Sequence, residues 1–417
     1  MFVRYLLPLL CMISFPSPCF SGSPYQPEIG TASSNGTAGA ANPTNVFDAS
    51  ALRTNPAGLA RLQERESLFV GGQILSGVMR FDADIAIAGG DEGGNVAPLE
   101  FIPSIFYSRE LGSRWHLGAG LAPAYGLSAE YGDSFVGRYQ TVTTRLSGAG
   151  LYFSFGYELN EEWALGLSLA AIYTTLKLSR AVSNTPNNPY PATDGKVTFD
   201  DIDDWSPQAA LGIVYTPKDS QWTLGLVYRS KTAVDLKGDL EAKNLPFSSG
   251  RAEVSFDMPE AYELGLAYQY TEKLKVFVQA DYQLWSQFSD YTVNIGAGTD
   301  AYDRGWRDSY RVALGAQFEL TPQQVIFVGT SYDMSPVTDK NRTFDAPTDD
   351  QLRLSASYHH RLDTLDFSLG LSLIQSASGK VDQTVEVTPG SGVFARTQGD
   401  FSTFNLIFVS ASLEYHF

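Results

Sequence analysis

Apolar and polar positions alternate along most of this chain with a period of two. Tyr262, Leu264, Leu266, Tyr268 and Tyr270 share one face of an extended segment, and Glu263, Gly265, Ala267 and Gln269 share the other. Leu274, Val276, Val278, Ala280 and Tyr282 then alternate with Lys275, Phe277, Gln279 and Asp281. A strand lying between two unlike environments requires that period. From Trp163 through Leu165, Leu167, Leu169 and Ala171 to Tyr173, aromatic residues bound an aliphatic band, while Ala164, Gly166, Ser168 and Ala170 on the other face are small. At ~3.3 Å per residue and a tilt of ~45° this band projects to ~23 Å, close to the ~25 Å apolar belt of an outer-membrane barrel. A soluble β-sandwich also alternates, but its core needs no aromatic girdles at that spacing.

The pattern predicts fourteen strands, near 67–81, 96–110, 113–128, 141–158, 162–182, 200–217, 220–236, 250–271, 273–290, 305–321, 323–335, 350–363, 364–381 and 398–417. An even number suits a bacterial single-chain barrel. Short links at Leu159-Asn160-Glu161 and Pro217-Lys218-Asp219-Ser220 suit periplasmic turns, and longer polar links near 183–199, 237–250 and 291–304 suit extracellular loops. In the last strand Leu413, Tyr415 and the terminal Phe417 share a face, a pattern that resembles the signal read by the barrel assembly machinery.

Composition narrows the class. Aromatic residues make up 13% of the chain and glycines number 38, yet mean hydropathy is −0.12, so the apolar residues are dispersed among polar ones. Residues 1–23 read as a signal peptide, with Arg4 before the apolar run Tyr5–Phe15 and small residues Ser21, Gly22 and Ser23 at the cleavage zone. Both cysteines, Cys11 and Cys19, fall inside it, which leaves the mature chain without disulfides, thiolate metal sites or a cysteine nucleophile. No later stretch reaches 18 consecutive apolar residues, which excludes a helical membrane protein but not a barrel. The net charge of −17 argues against nucleic acid. With four histidines and no Ser–His–acid pattern, phosphate loop or metal-ligand cluster, neither an enzyme nor a cofactor is expected.

Residues 24–66, rich in Gly, Pro, Ala and Ser, do not read as strand. Val46–Leu52 suggests a short helix and Asn55-Pro56-Ala57-Gly58-Leu59 a tight turn, so the segment is expected to fold into the lumen ahead of a barrel spanning 67–417. Asp48-Ala49-Ser50 followed by Asn55, Pro56 and Ala57 resembles the hatch motif of the outer-membrane transporters of long-chain fatty acids and aromatic hydrocarbons. Tyr125–Tyr139, Met258-Pro259-Glu260 with Trp285–Phe288, Trp306–Gly315 and Asp333–Val337 match the same family in order.

The resemblance implies an all-β, fourteen-stranded antiparallel barrel in the Gram-negative outer membrane, closed by an N-terminal hatch, monomeric and without cofactor. It implies uptake of hydrophobic small molecules past the lipopolysaccharide leaflet, with release sideways into membrane lipid through a gap at a kinked third strand. Pro123, Ala124, Tyr125 and Gly126 stand at that place: proline cannot donate a ladder hydrogen bond and glycine tolerates unusual dihedrals, although a simple bulge would use the same residues. Arg180 and Arg307 match the family's basic pocket positions. Each is open to two readings, binding of a carboxylate head group or pairing with a local acid such as Asp308 or Asp303. Phe404, Leu406 and Phe408 take the inward register if Ile407, Val409, Leu413 and Phe417 face lipid. The short Pro-rich link near 183–199 departs from the family, whose fatty-acid members carry a longer helical hairpin there. A non-selective porin and a surface receptor or adhesin are the alternative functions.

Overall fold

The computed structural model describes residue 25 and residues 28–97, 99–246, 249–288, 290–295 and 298–417; the expected signal peptide and both cysteines lie outside the described residues. One antiparallel sheet contains β1 (Glu66–Ala86), β2 (Glu100–Glu110), β3 (Trp115–Glu130), β4 (Thr143–Glu158), β5 (Trp163–Val182), β6 (Gly195–Tyr215), β7 (Trp222–Arg229), β8 (Thr232–Lys243), β9 (Gly250–Met258) and β10 (Ala261–Thr271). It continues with β11 (Leu274–Gln283), β12 (Asp290–Ile295), β13 (Gly298–Asp303), β14 (Ser309–Thr321), β15 (Gln324–Asp333), β16 (Gln351–Arg361), β17 (Leu365–Ser376), β18 (Lys380–Glu386) and β19 (Phe394–His416).

The sheet closes on itself. Pairing runs from β1 in order to β7, then through β10, β11, β14, β15, β16 and β17 to β19, which returns to β1. At the loop end, β8, β9, β12 and β13 extend the wall from β6, and β18 pairs with β19. The expectation of a fourteen-stranded barrel is therefore corrected: among the described residues the closed antiparallel sheet holds nineteen strand segments, not fourteen unbroken strands. The expected strands break where the backbone leaves the ladder, at Ser230-Lys231, at Pro259-Glu260, at the 3₁₀ turn Trp285–Phe288, at 304–308 and at 377–379. Pro259 has no amide hydrogen to donate, and the Glu260 amide turns to the side chain of Gln287 at 3.2 Å. Two segments expected as loops are largely strand: 237–250 holds the end of β8, and 291–304 is mostly β12 and β13.

The alternation behaves as a membrane wall requires. Leu165, Leu167 and Leu169 are exposed on the outside, while Ala164, Ser168 and Ile172 are buried within. Aromatic pairs bound the outer apolar band at the turn end, with Trp163 stacked on Tyr215 and Trp222 tilted against Tyr268, each at 4.2 Å between ring centres. At the other end Tyr173 lies 4.9 Å from Trp205. Such amphipathic rings sit at the lipid–water boundary.

Residues 28–60 lie inside the barrel and are almost all buried. They form α1 (Ala32–Gly36), a 3₁₀ turn at Asn42–Thr44, α2 (Ala51–Thr54) and a second 3₁₀ turn at Pro56–Arg61. The helix expected at 46–52 is confined to α2. The segment reaches the wall because the wall offers glycine: a Cβ at Gly225 would stand 1.8 Å from the Pro43 carbonyl oxygen, at Gly166 2.1 Å from the Ala57 nitrogen, and at Gly212 2.1 Å from Asn55 Oδ1. Asn55 fastens this contact. Its Nδ2 donates to the carbonyls of Pro43 (2.6 Å) and Ile213 (3.1 Å), and its Oδ1 caps the Ala57 amide at 3.1 Å.

Candidate functional site

The third strand breaks the wall. β2 pairs with β3 from Glu110–His116 only as far as Ile105–Leu121, yet β2 continues to Glu100 along β1. Among the described residues, Glu100–Ser104 of β2 and 122–129 of β3 share no ladder pairing. On its other side β3 stays paired with β4, with a register shift between Pro123 and Tyr125 that leaves Ala124 as the extra residue. The bulge exchanges the faces of the strand, and every residue from Leu121 to Ala129 is buried, so this half of β3 has folded inward. The register shift falls between Pro123 and Tyr125, inside the segment where an interruption was expected, and β3 itself runs on through it.

The unpaired stretch has defined borders. Beyond it, the Glu130 amide donates to the Val96 carbonyl at 3.1 Å. Arg145 on β4 reaches both edges, with Nη2 at 3.2 Å from Glu100 of β2 and 3.1 Å from Glu130 of β3. Tyr125 points into the lumen over Gly148, and its hydroxyl lies 2.5 Å from that of Thr174. Tyr25 forms an isolated antiparallel bridge with Tyr125 and stands edge-on to its ring at 6.4 Å.

The inward register of the last strand is as expected. Phe404, Leu406 and Phe408 are buried, whereas Ile407, Val409, Leu413 and Phe417 are exposed. Across the β1–β19 ladder Phe404 stands opposite Met79 and Phe408 opposite Leu75. Toward the loops the apolar lining continues through Phe81, whose ring lies 5.3 Å from Phe401 and 4.9 Å from Phe344.

The two arginines read as a head-group site are not brought together as a buried pair. Arg180 is exposed on β5, opposite Val197. Arg307 is exposed, and its Nε and Nη2 donate to the Ser335 carbonyl at 3.4 Å. Among the described residues Arg307 forms no ion pair with Asp308 or Asp303. Asp308 accepts from the Ser286 amide and the Tyr282 hydroxyl, both at 3.0 Å. The structured cation of this loop is instead Arg304, at 2.7 Å from Asp345 and 4.7 Å from the Tyr291 ring centre. Burial pushes the Asp345 carboxyl up, but the Arg304 charge and hydrogen bond outweigh it and hold that carboxyl below its ordinary range.

Sequence reasoning passed over the buried arginines of the lumen. Arg229, Arg311 and Arg353 occupy inward positions of strands whose neighbours Tyr228, Tyr310 and Leu352 are lipid-facing or exposed, so the period of two carried that signal. Arg53, on the four-residue α2, had no such period behind it.

A closed membrane barrel with an occupied lumen and one unzipped seam defines a class of outer-membrane transport protein rather than an open pore. The comparisons agree with the geometry. The model of the family described as "Outer membrane protein transport protein (OMPP1/FadL/TodX)" matches residues 23–417, and the chain belongs to that family. It is 26% identical over 366 residues to the long-chain fatty acid transport protein of Escherichia coli O6:H1, covering 77% of this chain and 80% of that one. It is 26% identical over 332 residues to outer membrane protein P1 of Haemophilus influenzae, covering 69% and 72%. Two solved structures share the fold: a Pseudomonas aeruginosa FadL homologue (TM-score 0.86, 19% identity, 95% of this chain and 100% of that one) and the Pseudomonas putida toluene transporter TodX (0.68, 20%, 89% and 95%). The protein is a β-barrel of the Gram-negative outer membrane.

Proposed function

We propose that this barrel takes up long-chain fatty acids or hydrocarbons and releases them sideways into the bilayer between β2 and β3. The observation that carries the reading is the unpaired stretch itself, which lies beside a lumen filled by residues 28–60. A solute cannot run straight through a filled barrel, and an apolar one gains more from entering lipid than from entering the aqueous periplasm. Phe404 and Phe408 belong to an apolar lining that suits such a cargo, residues 24–66 act as the hatch, and Asn55, Pro56 and Ala57 lock it to the wall. Arg180 and Arg307, being exposed near the mouth, suit first contact with an anionic head group rather than holding one inside.

The same reading has the protein working as a monomer beneath a lipopolysaccharide leaflet, assembled through the lipid-facing Leu413, Tyr415 and Phe417. A bacterial strain lacking its own fatty-acid transporter tests it. Expression of this chain should restore uptake of oleate or of a toluene-like compound, and restoration of neither refutes the substrate class. A large steady conductance in planar bilayers would favour a non-selective porin instead.

A further inference from the structure

The loop between β15 and β16 sends one aromatic side chain back into the barrel. Its tip is the turn Thr343–Ala346, closed by the Ala346 amide donating to the Thr343 carbonyl at 3.2 Å. Phe344 stands on that tip, yet it is fully buried. Four aromatic rings receive it. Those of Phe81 and Phe135 each lie 4.9 Å away, with interplanar angles of 90° and 89°. Tyr131 stands at 5.8 Å and 78°, and Phe401 at 6.4 Å and 64°. Aromatic pairs favour such edge-to-face arrangements. Glycine keeps the space open, since a Cβ at Gly137 would stand 2.6 Å from Phe344 Cε2.

Phe81 belongs to β1, Phe401 to β19, and Tyr131 and Phe135 to the segment that follows β3. The box is therefore built by the barrel, and a loop from the far side fills it. The tip is held mainly at the rim. Arg304 lies 2.7 Å from Asp345, the Tyr131 hydroxyl donates to the Phe344 carbonyl at 2.8 Å, and the Phe344 amide donates to Gln140 at 3.2 Å. The base of the loop is fixed separately. Arg342 donates to the carbonyls of Thr348 at 3.0 Å and Lys380 at 2.9 Å, and lies 3.1 Å from Asp349. A swing of the four-residue tip would break the rim bonds and leave this base in place.

Below the box the apolar lining continues to Phe404, opposite Met79. Tyr131 directly follows the half of β3 that has no ladder to β2. A ring released from the box is thus already on the lining that leads past the seam.

We propose that Phe344 is the built-in occupant of a receiving site for one benzene ring, and that an aromatic hydrocarbon enters the barrel by displacing it. The inference rests on the uptake reading above and deepens it: the cargo received at the outer mouth is a single-ring aromatic compound, and the loop tip keeps the mouth shut until such a ring arrives. Toluene offers the four rings the same face and edges as Phe344, so the exchange replaces like contacts with like and breaks only the bonds of the tip. A saturated ring of similar size lacks the negative face and positive edge that these contacts use.

The test uses the purified full-length barrel in a non-ionic detergent. Amide exchange in residues 340–348 is followed by mass spectrometry without ligand, with toluene and with methylcyclohexane. In wild type, toluene should speed exchange at the tip at least about threefold, because exchange tracks the open population, and methylcyclohexane should not. By calorimetric titration Phe344→Ala should bind toluene roughly tenfold more tightly than wild type, because a closed state no longer competes with the ligand. Should that variant fail to fold, Phe344→Leu takes its place, with a smaller gain in the same direction. Toluene binding by wild type without faster exchange in this loop overturns the proposal and leaves the uptake reading standing. Equal toluene affinity in wild type and variant does the same and marks Phe344 as a packing residue. Equal opening by methylcyclohexane overturns the assignment to aromatic rings. If wild type binds neither toluene nor oleate, the uptake reading falls together with the site.

Discussion

Replacing Gly225 with alanine should unseat the N-terminal segment without disturbing the wall. Gly225 lies on β7 between the lipid-facing Leu224 and Leu226, and an added Cβ would stand 1.8 Å from the Pro43 carbonyl oxygen and 2.4 Å from its carbon. That is about 1.6 Å short of the 3.4 Å at which ordinary contact begins. Neither side yields cheaply. Gly225 is held in ladders to Val214 and Gly265, and the Pro43 oxygen accepts the 2.6 Å bond from Asn55. Overpacking of this kind costs about 1–3 kcal/mol, and the lost Asn55 bond adds roughly 1 kcal/mol. A total of about 2–4 kcal/mol shifts the seating equilibrium by roughly 30- to 700-fold, at 1.4 kcal/mol per decade. In planar bilayers wild type should pass little current, whereas Gly225→Ala should show frequent openings, with faster proteolysis of residues 28–62. Leu226→Ala, on the lipid side of the same strand, serves as the control. A folded Gly225→Ala barrel with wild-type conductance and wild-type protease protection would refute the reasoning.

Four further outcomes are expected. Pro123→Val combined with Gly126→Val should favour pairing of β3 with β2 and lower uptake several-fold while the barrel keeps its heat-resistant mobility on gels; unchanged uptake would remove the lateral route. Arg145→Gln should free the edge of β2 at a cost of about 1 kcal/mol or less, since the guanidinium is partly exposed, and should speed amide exchange in residues 100–104. Phe404→Ala should leave a cavity opposite Met79 and cost about 3–5 kcal/mol, read as a lower denaturant midpoint. Because the Asp345 carboxyl titrates below its unfolded value, its pairing with Arg304 contributes fully above the ordinary carboxylate range and is lost as pH falls through the depressed value. Cleavage of the 334–350 loop by an acid-active protease should therefore accelerate toward low pH more steeply in wild type than in Asp345→Asn.

The wall was legible where one environment persisted along a strand. From Trp163 to Tyr173 the lipid-facing and lumen-facing residues differ at every step, and β5 follows that reading. The breaks were not legible in the same way. Alternation runs on across Ser230-Lys231, because the chain resumes the same wall one level higher, and at Pro259 the sole local sign is a missing amide hydrogen. The bulge at Pro123 could be read because backbone chemistry is local. The placing of Arg307 could not: it stands three residues from Arg304 in a loop without period, and which of the two meets an acid depends on where the distant Asp345 folds back. Arg53 was hidden for a related reason, since it is buried against Tyr152 and Arg229, on strands far away in sequence.

The ladder that joins the first strand to the last runs from Ser67–His416 to Ala86–Thr397, with two interruptions near its end, whereas the one between β2 and β3 stops at Ile105–Leu121. A cylinder stitched this unevenly does not yield at the place where its ends were sewn together. On the proposed reading, lateral tension in the surrounding bilayer should part it first along the short stitching, so that a change in membrane thickness or lipid packing should act on this one seam while the rest of the circumference stays shut.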